Sequence, residues 1–214
     1  MFKVPMRRRL ELQQWAEDHA LAPQIEEPED WPTEFRLGPT GLYPIYCGDH
    51  APGFVGLYAI INGLSLLLAE ALPLKPAEER MLLDLGWKFL SGRGLVAPWH
   101  GIRVNTFDRL AEGLSFTLSR HRSQWIRFER LELTSHPSDP ELGITFERLL
   151  VAKRVVIILL GRGHYTVIRG YTPLSWLLFD ATGRMWMKRD RQHPFAGYGC
   201  RRSRPFAIIL SRSI

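Results

Sequence analysis

Cysteine is almost missing from this 214-residue chain, with Cys47 and Cys200 the only two. Two thiols cannot build the framework of a disulfide-stapled fold, and no cluster of cysteine and histidine has the spacing of a structural zinc site. Also missing is any uninterrupted apolar run of about 20 residues, the length a membrane-spanning helix needs. Arg7, Arg8 and Arg9 stand before a polar amphipathic stretch, which argues against a secretory signal peptide and makes a reducing cytoplasm the expected compartment. There is no phosphate-binding glycine motif, no dinucleotide fingerprint and no Gly-x-Ser-x-Gly elbow, so the common nucleotide and serine-hydrolase chemistries lose their usual carriers. No internal repeat or low-complexity tract appears, and no cofactor is expected.

What remains is ordinary globular material: 45% hydrophobic and 23% charged residues, enough for one core. The formal net charge is +6, with arginines gathered near both ends. Arg189, Arg191, Arg201, Arg202 and Arg204 follow Lys188 closely and form a candidate partner-binding face, because a basic surface attracts acidic proteins or phosphates at long range. Aromatics interleave with them at Trp186, Phe195 and Tyr198, a pattern that also suits stacking and pairing with nucleic acid. A solvated arginine-rich surface is the plainer account of the same residues.

The spacing predicts a short amphipathic helix over Arg9 to Ala20, then an irregular proline- and glycine-rich arm from Pro23 to Pro52. Gly56 to Ala71 is apolar on nearly every side, as a helix buried in the middle of a domain is. Pro76 with Glu78 and Glu79 opens a second helix, running to about Leu90. Asn105 is expected to cap a third, through Leu118, and Asp139-Pro140-Glu141 to begin a fourth, ending near Lys153. The period then changes. Val155 to Leu160, Tyr165 to Tyr171, Ser175 to Phe179 and Phe206 to Leu210 read as short strands, with another around Ile126 to Leu133. Helices followed by antiparallel strands make an α+β fold with segregated elements. Residues 1–54 form the N-terminal helix and arm, and 55–214 one globular unit.

Three short blocks carry the chemistry. Val55-Gly56-Leu57-Tyr58-Ala59-Ile60-Ile61-Asn62-Gly63-Leu64 starts the buried helix, His164-Tyr165-Thr166-Val167-Ile168-Arg169-Gly170-Tyr171 opens a strand, and Phe179-Asp180-Ala181 ends the next. This order resembles the papain-like cysteine peptidase superfamily, in particular its bacterial double-glycine (bacteriocin-processing) peptidase-like branch. The resemblance implies a helical lobe with a central buried helix, followed by a sheet lobe. It also implies a catalytic cysteine at the position of Val55, with His164 and Asp180 as its partners. A thiol at a helix N-terminus feels the positive end of the dipole and a nearby imidazolium, which makes thiolate available at neutral pH. Valine can do neither. The acidic residue accepts from the second imidazole nitrogen and sets tautomer and orientation. The polar side chain that such a site uses for its oxyanion hole is not evident either, since Asp49 and His50 occupy that region and an aspartate opposes a developing oxyanion.

The resulting expectation is a peptidase-like protein that has lost its nucleophile and binds a peptide or partner protein through the former cleft and the basic face. An active cysteine hydrolase or acyl transferase using Cys47 with His164 and Asp180 is the alternative from another class. A nucleic-acid-binding module is the third. Cys200, beside Arg201 and Arg202, is a further thiol in an electropositive setting. His50, His164 and Asp180 share no local ligand spacing, so no metal is expected.

Overall fold

The apolar run after Phe54 forms α1 (Val55–Leu68), buried along its length except at the half-buried Tyr58 and Leu67. The protein is described here from a computed structural model, covering residues 35–39, 41–46, 54–92, 102–132, 140–160, 164–172, 175–184, 186–188 and 206–212. All lie within one compact unit, Thr33–Ile214. The expected helix over Arg9 to Ala20 lies outside the described residues, as do Cys47, Asp49, His50, Cys200 and the basic Arg189, Arg191, Arg201, Arg202 and Arg204.

Proline in its first turn starts α2 (Pro76–Ser91), and the Glu78 carboxylate reaches back to accept from the Lys75 amide at 2.8 Å. Gly86 lets α2 approach α1 closely: a Cβ there would stand 2.2 Å from Leu57 Cδ1. The third helix, α3 (Val104–Arg122), differs from expectation at both ends. Its N-cap is Arg103, whose carbonyl accepts from the Thr106 and Phe107 amides, so Asn105 sits inside the first turn and caps nothing. It continues past Leu118 because the next turn is held on both sides. Ser119 is buried and Arg122 docks on Glu78 and on the carbonyls of Leu72 and Pro73. Ser123, in the left-handed region at φ 51°, ends it. The last helix is α4 (Pro140–Val151).

The strands are β1 (Phe35–Arg36), β2 (Ile126–Glu132), β3 (Val155–Leu160), β4 (His164–Tyr171), β5 (Ser175–Phe179), β6 (Trp186–Lys188) and β7 (Phe206–Arg212). They form one antiparallel sheet in the order β2-β7-β3-β4-β5-β6. The expected strands are all present, while β1 and β6 were too short to carry a period. β1 joins β4 at Gly170 and Tyr171, beyond the point where β3 stops flanking it. That contact needs glycine, since a Cβ on Gly170 would lie 2.2 Å from the Phe35 carbonyl oxygen.

Register separates the two faces. Ile157 pairs with Val167 and Val155 with Leu210, and this face meets α1: a Cβ on Gly63 would stand 3.0 Å from Ile157 Cδ1 and 3.1 Å from Leu210 Cδ1. Trp176 belongs to the other face, where the α4 ring of Phe146 meets it edge-on at 6.2 Å. The molecule is therefore a mixed helix and antiparallel-sheet fold with helices on both faces. Segregation is less complete than expected, because β1 precedes α1 and α4 crosses to the far face, while β2 lies between α3 and α4 where a strand was expected. No helix among the described residues is long and apolar enough to cross a membrane.

Candidate functional site

Val55 is the first residue of α1 and is buried. The turn it opens is fixed through Tyr165. A Cβ on Gly56 would lie 3.1 Å from the Tyr165 ring and 3.0 Å from Phe107, and those two rings stack at 3.9 Å. The Tyr165 hydroxyl donates to the Ile102 carbonyl at 2.9 Å, and burial, then the charge of Asp108, pushes its pKa up. The N-terminus of α1 and the start of β4 are thus one packed corner.

The β4 and β5 strands are antiparallel, with their connection closed by the Thr172 amide on the Ser175 carbonyl and the Ser175 amide on Thr172 Oγ1. That hairpin brings the far ends together. His164, the first residue of β4, and Asp180, just after β5, meet with Nε2 and Oδ2 2.8 Å apart. The imidazole keeps 28% of its side chain exposed while the carboxylate has none. Burial pushes the Asp180 carboxyl up, but the His164 hydrogen bond and charge, with help from Thr166 and Thr182, overcome it and hold the pKa at about 2. Its other oxygen accepts from the Thr182 amide at 2.7 Å and from the Thr182 hydroxyl. The buried Thr166 hydroxyl lies on the same face but makes no hydrogen bond of ordinary geometry.

Chemically, an ionised carboxylate only accepts, so Nε2 carries the proton, and Nδ1 is the nitrogen without a hydrogen-bond partner among the described residues. Pleating also decides where that nitrogen lies. Tyr165 points toward α1, so His164, with Thr166, faces the opposite side of the sheet. A group at position 55 would reach the imidazole around the end of β4, not across the sheet face.

A second approach to the pair comes from the arm. Arg169 donates to the carbonyls of Leu37, Leu42 and Pro39 at 3.1, 3.1 and 2.6 Å, and its guanidinium lies 5.5 Å from the centre of the Phe179 ring. Farther along, the buried Asn62 of α1 takes both backbone groups of Ile45, accepting from its amide at 2.7 Å and donating to its carbonyl at 3.1 Å. The next residue, Tyr46, lies 3.7 Å from where a Cβ on Gly183 would sit. Burial, then Tyr43 and the charge of Asp180, raise its pKa. Residues 37–39 and 41–46 therefore run back along α1 to the His164–Asp180 end of the sheet.

Sequence reading alone did not find Arg169, Asn62, Tyr46 or Thr182. An asparagine inside an apolar helix is the one signal that pointed to a buried partner for Asn62, and Asp-Ala-Thr at a strand end is the pattern of a local side-chain turn. Among the described residues, no group of three or more histidine, cysteine, aspartate and glutamate side chains is arranged to hold a metal ion.

The site is a histidine–carboxylate pair at the rim of an antiparallel sheet, beside the N-terminus of a buried helix. No family model matches the chain, and no curated protein does. Among solved structures it is similar to the crystal structure of a candidate C39-like peptidase from Bacillus anthracis, at 10% sequence identity and a TM-score of 0.46. The match covers 84% of this chain and 98% of the other.

Proposed function

We propose that this protein is a papain-like, peptidase-like domain without a working nucleophile at the start of α1, and that it binds a peptide segment or a partner protein. One observation carries the reading: Val55 opens the buried helix while His164 and Asp180 stay paired at the same end of the fold. Replacing a thiol by an aliphatic side chain removes hydrolysis but leaves backbone donors and cleft walls in place, so recognition outlives chemistry. Arg189, Arg191, Arg201, Arg202 and Arg204 supply the basic face of that surface in this reading. Alkylation rates at Cys47 and Cys200 against pH, in wild type and His164→Ala, test it. Two ordinary thiols, unaffected by the substitution, fit the reading, and a fast low-pKa thiol that slows without His164 removes it.

The position of Tyr46 favours a second reading. Cys47 follows directly on a residue that feels the charge of Asp180, so an active hydrolase or acyl transferase built on Cys47, His164 and Asp180 predicts the opposite alkylation result.

A further inference from the structure

Among the described residues β2 is an edge strand, bonded to β7 on one side only. Its open edge is addressed by the backbone. The Ile126 amide turns away from β7 and donates to Ser119 Oγ at 2.9 Å. By alternation, the amide and carbonyl groups of Phe128 and Arg130 also point outward.

The side chains sort by face. Phe128 pairs with Leu210 and so lies on the α1 face, as does Arg130, which is engaged by Asp108 at 3.0 Å. Trp125, Arg127, Glu129 and Leu131 belong to the other face. There Trp125 is 70% exposed, Arg127 and Glu129 are exposed, and Leu131 is half-buried. Arg154, at 3.9 Å, leaves 62% of the Glu129 side chain open.

Edge strands avoid association by carrying charges that repel a second strand. Here the charges alternate in sign, and one register satisfies both of them. Two copies of β2 can pair antiparallel only if facing residues share a face, so the two residue numbers in each pair must have the same parity. A twofold axis at Phe128 obeys this. It sets Phe128 against Phe128, Arg127 against Glu129 of the second copy, and Trp125 against Leu131 of the second copy. Axes at Glu129 or Arg130 would instead set Glu129 against Glu129 or Arg130 against Arg130.

We propose that β2 is a self-association edge, with a second copy of this chain as its partner, in the register centred on Phe128. Phe128 amides and carbonyls bond across the axis, and the Arg130 amide donates to the Ile126 carbonyl of the second copy. The Ile126 amide stays with Ser119. Cross-strand ion pairs and aromatic–aliphatic pairs of this kind each stabilise an antiparallel ladder, and the two-fold arrangement repeats each of them.

Sedimentation equilibrium of the full chain tests this with charge swaps. Wild type is expected to show twice the chain mass. Arg127→Glu and Glu129→Arg, each setting like charges opposite one another, are expected to weaken the dimer by about tenfold or more. Arg127→Glu combined with Glu129→Arg restores the pairs and the dimer. Circular dichroism of each variant checks that the fold is kept. A wild type that is monomeric throughout the micromolar range overturns the proposal, as does a dimer indifferent to both single swaps or a double swap that stays monomeric.

Discussion

Glu78 and Asp180 are both carboxylates taken out of water, and both are held at a pKa of about 2, but by opposite kinds of partner. Glu78 is lowered first by its hydrogen bond to Arg122, against burial, with the Lys75 amide and His121 adding to it. That guanidinium also takes the carbonyls of Leu72 and Pro73, so the cluster ties the α1–α2 connection to the end of α3 and leaves little unspent. Asp180 instead holds an imidazole that is partly exposed and whose other nitrogen has no hydrogen-bond partner among the described residues. The first carboxylate fastens helices. The second orients a group that can meet something else. Similar shifts in pKa therefore mark a structural lock and a candidate site alike, and what separates them is whether the partner has a function left over.

Breaking the lock should cost most. Arg122→Ala strands Glu78 in a buried position and frees two carbonyls, and we expect a loss of about 3 kcal/mol in denaturant unfolding. The His164 ring signals should not move. Asp180→Asn is expected to cost about 1–2 kcal/mol. Its distinctive effect is on tautomer: ¹⁵N NMR should find the His164 proton on Nε2 in wild type and shared between both nitrogens in the variant. A tautomer unchanged by the substitution would mean that Asp180 does not orient the ring.

Acid sharpens the comparison. The folded-state pKa values lie below the ordinary 3.8 for Asp180 and 4.5 for Glu78. Both stabilising contributions are therefore complete above those ordinary values and are lost as pH falls toward about 2. Unfolding midpoints should decline over that interval, and the decline should be shallower in either Arg122→Ala or Asp180→Asn. The smallest effect is expected at Val55. Val55→Cys trades one small buried apolar side chain for another and should change stability by less than about 1 kcal/mol.

Much of this architecture was legible in the chain. The long periodic elements α1, α2 and α4 and the β-branched run Val155 to Leu160 declare themselves, because burial on all sides or on one face writes its own period. The meeting of His164 with Asp180 was implied by the resemblance, and the connection closed between Thr172 and Ser175 makes the two strand ends neighbours. Other features depend on tertiary partners. β1 is two residues long and exists because Gly170 has no side chain to exclude it. The extra turn of α3 exists because Arg122 finds Glu78, 44 residues away in sequence. Nor does any local pattern say that pleating turns His164 away from the face that α1 covers, because that follows only from which side Tyr165 takes.

The central claim is that position 55 is the emptied nucleophile seat of a site whose other members persist. The most direct measurement is the thiol pKa of Val55→Cys, from the pH dependence of alkylation, with and without His164→Ala. The account predicts a thiol well below its ordinary value of about 8.5, returning toward it when the imidazole is removed. A thiol at or above that value, indifferent to His164, would contradict it and would mean that the helix start and the histidine–carboxylate pair are neighbours without a shared site.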